Sequence, residues 1–258
     1  MSGTDWSPAS YARFGDLRLR PALDLLARVG DLPQGAVCDL GCGNGPVGPA
    51  LAARFGTERV LGVDNSPAML EVARKTGAYG ALEEADIASW TPDASLALIY
   101  SNAALQWLGD HECLLPRLVG LLAPGGTLAV QMPHQNPAPS HRLWHDLAAD
   151  LFPGRFDPAT SPGILAAEDY DRILAPLGTL SLWETEYFQR LPAAEQGHPV
   201  RHFTISTFAR PVLAVLDEAE QAQIIAAYDA AVAAHYPCAP DGTALFPFRR
   251  LFFTLDIG

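Results

Sequence analysis

The sequence has little positive charge and contains no long apolar segment. Its 258 residues include 17 Lys and Arg against 29 Asp and Glu, so the formal net charge is −12. Nucleic-acid binding needs a basic face, and this balance therefore argues against nucleic acid as the main partner. An anionic substrate would have to be attracted by a local cluster of arginines. No stretch approaches the roughly 20 apolar residues of a membrane helix, so we expect no membrane partner.

Features of exported and of metal-binding proteins are also missing. Residues 1–6 lack the basic and apolar regions of a signal peptide, which predicts a cytoplasmic protein. The four cysteines form no CxxC pair, and no Cys or His group has the spacing of a zinc site. They are Cys38, Cys42, Cys113 and Cys238. We expect reduced thiols that serve packing, no metal site, and no nucleophilic role for Cys42.

The first half of the chain alternates short apolar runs with helical patterns. Strands are predicted at residues 36–40, 60–64, 81–85, 96–101 and 127–132. Helices are predicted at residues 21–29, at 47–55, from an N-cap at Ser66, and at 111–122, the last closed by Pro124, Gly125 and Gly126. Nearly all-apolar strands that alternate with helices are typical of a doubly wound parallel sheet.

The second half changes in character. Residues 134–139 and 153–163 are rich in turn formers, residues 179–191 alternate as a strand does, and residues 199–236 are mostly helical. A last strand is predicted at residues 246–257.

These patterns predict an α/β protein with a Rossmann-like, doubly wound, mostly parallel sheet of seven strands. The predicted core comprises residues 1–198 and 240–258. Residues 199–239 are predicted to form a helical lid inserted before the last strand, placed to cover a substrate pocket.

A glycine-rich loop follows the first strand and satisfies two binding templates. Gly43-x-Gly45-x-x-Gly48 fits the pattern of dinucleotide-binding proteins, and Gly41-x-Gly43-x-Gly45 fits the pattern of methyltransferases. Both bring the backbone close to a ligand at a helix N-terminus. Asp64 ends the second strand and could hold a ribose diol in either kind of protein.

Acidic residues at the strand ends favour the methyltransferase template. Asp39 lies two residues before Gly41, where its carboxylate would repel a pyrophosphate but attract the ammonium group of S-adenosylmethionine. Asp86 could accept a hydrogen bond from an adenine amino group, and Ile87 could pack on the ring. The alternative is that Asp39, Asp64 and Asp86 are solvated caps. Three acids at successive carboxyl ends, where α/β sheets bind ligands, make that alternative the weaker one.

Longer motifs resemble known families. The runs DLGCGNG at residues 39–45 and GVDNSPAML at residues 62–70 resemble class I S-adenosylmethionine-dependent methyltransferases. The run SNAALQWLGDH at residues 101–111 resembles, more narrowly, the trans-aconitate 2-methyltransferase family. The narrower resemblance extends to residues 6–22, 130–133, 140–141, 209–211 and 246–252. It departs from the family pattern at Phe248 and Arg249, where the chain carries one extra residue.

The resemblance implies a methyltransferase that esterifies a carboxylate of a small polycarboxylic acid, trans-aconitate in the first place, with S-adenosylmethionine as cofactor. It implies no catalytic residue, because a carboxyl group is already ionised at neutral pH and the enzyme only positions the reactants. The residues expected to bind the cofactor are Tyr11, Arg20, Asp39, Gly41, Cys42, Gly43, Gly45, Asp64, Asn65, Asp86, Ile87 and Asn102. The residues expected to bind the polycarboxylate are Arg18, Gln106, Trp107, His141, Arg210 and Arg250.

Three alternatives stay open. They are a methyltransferase that acts on another small molecule, an NAD-dependent oxidoreductase that shares the fold, and a non-catalytic S-adenosylmethionine-binding protein.

Overall fold

The computed structural model describes residues 15–161 and 163–258, with side chains from residue 19 onward. Within them the strands are β1 Val37–Leu40, β2 Val60–Asp64, β3 Ala81–Glu84, β4 Leu96–Asn102, β5 Leu122–Pro133, β6 Thr179–Leu191 and β7 Ala244–Asp256. The α-helices are α1 Gly15–Leu26, α2 Gly48–Phe55, α3 Pro67–Arg74, α4 His111–Val119, α5 Pro139–Leu151, α6 Ala167–Leu174, α7 Pro199–Thr204, α8 Arg210–Ala214 and α9 Glu218–Val232.

The seven strands form one sheet in the order β3-β2-β1-β4-β5-β7-β6. The pairs from β3 to β5 are parallel. Strand β7 is antiparallel to β5. Ile257, after β7, is hydrogen-bonded to Gly126 near the start of β5, and Arg249, inside β7, is hydrogen-bonded to His134 just after the end of β5. The order reverses between β1 and β4, which is the position where doubly wound sheets bind ligands. The predicted Rossmann-like, mostly parallel seven-stranded sheet is confirmed.

Burial explains why these strands read as continuous apolar runs. All four residues of β1 and the first six of β4 are buried, as in sheets that are covered on both faces.

The chain divides into two compact units. The sheet unit comprises the described residues up to Pro133, together with Ile164–Thr185 and Leu251–Gly258. The helical unit comprises His134–Gly163 and Glu186–Arg250. The predicted lid, residues 199–239, lies within the helical unit, which is larger and also contains α5 and parts of β6 and β7. That this unit covers a substrate pocket stays a prediction.

The helical unit has its own core. Trp144 of α5 stacks on Tyr228 of α9 with ring centroids 4.0 Å apart, and both side chains are buried. The indole of Trp144 donates to Thr204 Oγ1 at 3.1 Å, and the Tyr228 hydroxyl donates to the Ser140 carbonyl at 2.7 Å. Buried polar atoms are thereby satisfied inside the packed aromatic cluster.

Two sequence-based expectations need correction. The helix predicted at residues 111–122 ends at Val119, and the run Pro124–Gly126 lies inside β5 rather than before it. Gly125 takes a φ of +75°, and the register with β4 shifts between Leu96 and Leu98. Both features are typical of a bulge, which glycine allows without breaking the strand. In addition, the loop predicted at 134–139 is one residue too long, because α5 already begins at Pro139, and proline is tolerated in the first turn of a helix.

Among the described helices, none combines the length and the apolar composition that a membrane crossing requires.

Candidate functional site

A cavity of about 240 Å³ lies in the sheet unit at the carboxyl ends of β1, β2 and β4. Its walls come from the segments that follow the first four strands of the chain. The lining residues are Asp39, Gly41, Cys42, Gly43, Asn44, Pro46, Val47, Asp64, Asn65, Met69, Asp86, Ile87, Asn102, Ala103, Ala104, Trp107 and Leu108. The carboxyl ends of parallel strands meet at one edge of a sheet, so acids that are distant in sequence converge here.

The glycine loop is tied to the neighbouring strand through its backbone. The amides of Gly41 and Cys42 both donate to the Val63 carbonyl, at 2.8 and 3.0 Å. Gly41 has a φ of +76°, and a Cβ at this position would lie 2.3 Å from the Cβ of Ala104. The loop therefore needs glycine at position 41 both for its backbone conformation and for its close approach to the segment after β4.

Asp64 connects the glycine loop to the start of α3. Its Oδ2 accepts from the Gly43 amide at 2.8 Å, and its Oδ1 accepts from the Ser66 amide at 2.9 Å. Ser66 is the N-cap of α3, as predicted, because its hydroxyl accepts from the Met69 amide. These two hydrogen bonds fix the orientation of the Asp64 carboxylate at the cavity wall.

Asp39 is a buried carboxyl at the cavity wall. Burial raises the pKa of Asp39 to about 7, a hydrogen bond from Tyr79 acts in the opposite direction, and the charge of Asp64 adds to the increase. The Tyr79 hydroxyl donates to Asp39 Oδ2 at 2.7 Å. An unpaired carboxylate is costly in such surroundings, so a cation bound at this wall would be strongly favoured.

The segment after β4 presents strained backbone and buried amides. Ala103 has a φ of +54°, an unusual value for a residue with a side chain, and it lines the cavity. The buried Oδ1 of Asn102 finds no hydrogen-bond partner among the described residues. Gln106 donates to the Ala103 carbonyl at 2.7 Å, and within the described part of the chain its buried Oε1 also has no partner. Trp107 lines the cavity and is 37% exposed.

A buried histidine supports this segment from behind. His111 Nε2 lies 2.9 Å from the Leu105 carbonyl, and Nδ1 lies 2.6 Å from the Tyr170 hydroxyl. A carbonyl can only accept, so Nε2 donates to Leu105, while Nδ1 and the Tyr170 hydroxyl share the second hydrogen bond. The Tyr170 hydroxyl in turn accepts from the Leu165 amide at 3.2 Å. The short 3₁₀ turn Leu105–Trp107 is held by this chain of hydrogen bonds.

Most of the residues predicted to bind a cofactor meet in the cavity. They are Asp39, Gly41, Cys42, Gly43, Asp64, Asn65, Asp86, Ile87 and Asn102. Gly45 is not among the lining residues, and neither is Gln106. Arg20 lies outside the lining as well, with an exposed side chain 4.0 Å from Asp24. Tyr11 and the side chain of Arg18 lie outside the part of the chain that the structure describes.

The other residues predicted to bind substrate belong to the helical unit. His141 is buried, and burial lowers its pKa to about 3, with nearby His145 adding to the effect. Its ring packs on Phe208 and Phe248 with centroid distances of 4.4 and 6.0 Å. The Arg250 guanidinium lies 4.6 Å from the centroid of the same Phe248 ring and is buried.

A neutral imidazole and a buried arginine therefore share one aromatic platform. Arg210 is half-buried at the start of α8, and its participation stays a prediction.

The thiol that lines the cavity belongs to Cys42. Burial raises the pKa of the Cys42 thiol far above its ordinary value, and Cys42 is therefore protonated and a poor nucleophile. All four cysteines are free. No group of three or more His, Cys, Asp or Glu side chains in the described ranges is arranged to hold a metal ion.

Comparison with known proteins places this chain in a family. A family model described as a methyltransferase domain matches residues 37–126. The trans-aconitate 2-methyltransferase of Methylobacterium nodulans is 44% identical over 252 residues, which cover 96% of both chains. The protein of the same name from Paracidovorax citrulli is 42% identical over 255 residues, again with 96% of both chains covered.

A solved structure shows the same fold at low sequence identity. Phosphoethanolamine N-methyltransferase 2 of Haemonchus contortus, in complex with S-adenosyl-L-methionine, matches with a TM-score of 0.53 and 16% identity over 93% of this chain and 53% of that one. The matched methyltransferase domain, residues 37–126, includes every residue that lines the cavity. The chain belongs to the trans-aconitate 2-methyltransferase family, within the class I S-adenosylmethionine-dependent methyltransferases.

Proposed function

We propose that the protein transfers the methyl group of S-adenosylmethionine to a carboxylate of trans-aconitate, forming a methyl ester and S-adenosylhomocysteine. The observation that carries the proposal is the buried Asp39 carboxyl beside the glycine loop, in a chain that is 44% identical to a named trans-aconitate 2-methyltransferase over 96% of its length. A pyrophosphate at this loop would face that carboxyl, which argues against an NAD-dependent oxidoreductase.

The residues present fit the cofactor. Asp39 is a buried acid that an ammonium group would satisfy, and Asn102 has a buried Oδ1 that finds no partner among the described residues. A Cβ on Gly43 would meet no atom within 4 Å, so the loop leaves open space at this point of the cavity wall. When bound, S-adenosylmethionine supplies an electrophilic methyl group on a positively charged sulfur.

Each part of the cofactor has a counterpart in the chain. Asp39 would accept from the amino group, Asp64 from the ribose hydroxyls, and Asp86 from the adenine, with Ile87 packing on the ring. Asp64 is held for this role by the amides of Gly43 and Ser66. Asp86 is similarly oriented by the Ala88 amide, which donates to its Oδ1 at 2.9 Å.

The acceptor needs charge neutralisation and orientation rather than a base. A carboxylic acid with a pKa of about 4 is ionised at neutral pH and presents a nucleophilic oxygen without proton transfer. Arg250 offers a planar fork that suits a carboxylate, and the neutral His141, which packs on the same Phe248 ring, would add a hydrogen bond without adding charge. Gln106, Trp107, Arg18 and Arg210 complete the proposed set of substrate-binding residues.

The test is transfer of a labelled methyl group from S-adenosylmethionine to trans-aconitate, with the product identified as a base-labile methyl ester. We expect transfer to trans-aconitate and little or none to its trimethyl ester, which has the same carbon skeleton and no charge. Equal labelling of neutral acceptors would contradict the polycarboxylate assignment but leave the methyltransferase class intact. Tighter binding of NAD than of S-adenosylhomocysteine in calorimetry would contradict the class.

A further inference from the structure

Tyr79 lies behind the glycine loop and belongs to none of the sequence motifs. Its ring fills the space beside three glycines from three segments of the sheet unit. A Cβ placed on Gly48 would lie 2.6 Å from the ring, one on Gly62 would lie 2.9 Å from it, and one on Gly45 would lie 3.0 Å from it. The absence of a side chain at these three glycine positions, one each in the loop, α2 and β2, thus creates the slot that holds this ring.

The hydroxyl of Tyr79 is hydrogen-bonded to the buried carboxyl from inside this slot. It donates to Asp39 Oδ2 at 2.7 Å. Burial raises the pKa of the Tyr79 phenol far above its ordinary value, so the phenol is neutral and stays a donor. The ring thus fixes the position of the hydroxyl, and the hydroxyl fixes one oxygen of the buried carboxyl.

We propose that Tyr79 is a positioning residue for cofactor binding, whose hydroxyl holds Asp39 as the ionised acceptor of the cofactor's ammonium group. The proposal rests on the cofactor assignment above and adds a residue to it. Tyr79 does not line the cavity, so its effect on the ligand passes through Asp39.

The other groups that face Asp39 cannot replace this hydrogen bond. Asp64 is negative and opposes ionisation of Asp39. Cys38, Cys42 and Tyr100 all interact electrostatically with Asp39, and burial raises the pKa of each, so that they are neutral. Glu83 acts on Cys38 from the edge strand β3 and adds negative charge. Among the side chains named here, the Tyr79 hydroxyl is therefore the group that favours the charged form of Asp39.

Replacement of Tyr79 by phenylalanine separates the two roles of the residue. Tyr79→Phe keeps the ring in its slot and removes the hydrogen bond to Asp39. Because this hydrogen bond stabilises the charged form of Asp39, its loss should raise the pKa of Asp39 by roughly one to two units. Since burial already raises the pKa of Asp39 to about 7 in the wild type, ionisation in the variant should need a distinctly higher pH.

The experiment compares two ligands by calorimetry between pH 6 and pH 9. S-adenosylhomocysteine carries the amino group, and 5′-methylthioadenosine lacks the whole amino-acid part. In Tyr79→Phe we expect about tenfold weaker binding of S-adenosylhomocysteine at pH 7, a difference that shrinks toward pH 9, and unchanged binding of 5′-methylthioadenosine. Tyr100→Phe is the matched control, because it removes a buried hydroxyl that donates to the Ala22 carbonyl and not to Asp39. That control should leave both affinities and the pH profile unchanged.

A second measurement needs no ligand. Carbon-13 NMR of aspartate carboxyls in the free protein should show the Asp39 titration midpoint about one unit or more higher in Tyr79→Phe than in wild type. Equal losses for both ligands, or an unmoved midpoint, would overturn the inference and leave Tyr79 a packing residue. A wild type that binds neither ligand would instead overturn the cofactor assignment, whatever the titration shows.

Discussion

Substitution of Asp39 by asparagine should make the free protein more stable and disable cofactor binding. Burial raises the pKa of Asp39 from an ordinary 3.8 to about 7, so between these values the folded protein binds a proton that the unfolded chain has lost. Stability therefore falls as the pH rises from about 4 to about 7, and the full cost is present above pH 7. A change of about three units corresponds to roughly 4 kcal/mol as an upper value.

Asparagine removes this cost and retains the shape. Its Oδ1 can still accept from the Tyr79 hydroxyl, which donates to Asp39 at 2.7 Å in the native protein. Without ligand, thermal unfolding at pH 8 should show the Asp39→Asn variant more stable by several degrees, and the two proteins should converge near pH 4. Asp31→Asn, at an exposed loop position, is the control and should show no such difference.

S-adenosylhomocysteine, the product formed from the cofactor, tests the same residue in the bound state, where the wild type should gain more stability than the variant. A saturating concentration of S-adenosylhomocysteine should raise the unfolding temperature of wild type and hardly change that of Asp39→Asn, because the ammonium loses its charged partner. A variant that is less stable than wild type at pH 8, or one that S-adenosylhomocysteine stabilises as strongly, would refute this account of Asp39.

Substitutions at three further residues test the remaining parts of the site. Asp64→Ala should weaken S-adenosylhomocysteine binding by about 2–4 kcal/mol in calorimetry, because ribose hydroxyls lose a charged acceptor, and an unchanged affinity in a folded variant would exclude that role. Gly41→Ala should reduce the affinity for S-adenosylhomocysteine about tenfold or more and lower the unfolding temperature. The backbone of residue 41 has a φ of +76°, and the new methyl group would lie 2.3 Å from the Cβ of Ala104. Wild-type affinity and stability in this variant would show that the loop adapts. Arg250→Ala should lower kcat/KM toward trans-aconitate by about 10²-fold without a change in cofactor affinity, Arg250→Lys should recover only part, and Arg249→Ala is the adjacent control. Near-wild-type kinetics in Arg250→Ala would contradict the role of this arginine.

The convergence of the residues proposed to bind the cofactor could be predicted from the sequence, because it follows from the order of strands and helices along the chain. Short apolar strands that alternate with helices imply a parallel sheet, and a parallel sheet brings its carboxyl ends to one edge. Asp39 and Asp64 lie at the carboxyl ends of β1 and β2, and Asp86 lies just after β3, so their meeting in one cavity is a consequence of topology. The N-cap at Ser66 was predictable for the same reason, since capping depends on residues a few positions apart.

The supporting residues could not be predicted, because their partners are distant in sequence. Tyr79 reaches Asp39 across 40 positions, and His111 reaches Tyr170 across 59. Neither pair has a spacing or composition that marks it. A tyrosine in the connection before β3 is as compatible with a surface position as with a buried slot. That slot exists because Gly45, Gly48 and Gly62, which lack side chains, surround the ring in the folded protein. This arrangement is a property of the packed structure.

Strand geometry distinguishes Arg250 from its neighbour Arg249, near which the sequence departs from the family pattern. Along β7 the side chains of Phe246, Phe248 and Arg250 are buried, while Pro247 and Arg249 between them are only half-buried. Successive side chains of a strand point to opposite faces, so Arg250 shares its face with the two phenylalanines and Arg249 does not. The Arg250 guanidinium accordingly lies over the Phe248 ring, where a cation is stabilised in spite of burial. An arginine held in this way has little conformational freedom left to lose when it binds a carboxylate, which favours Arg250 over Arg249 as the residue that would bind the acceptor.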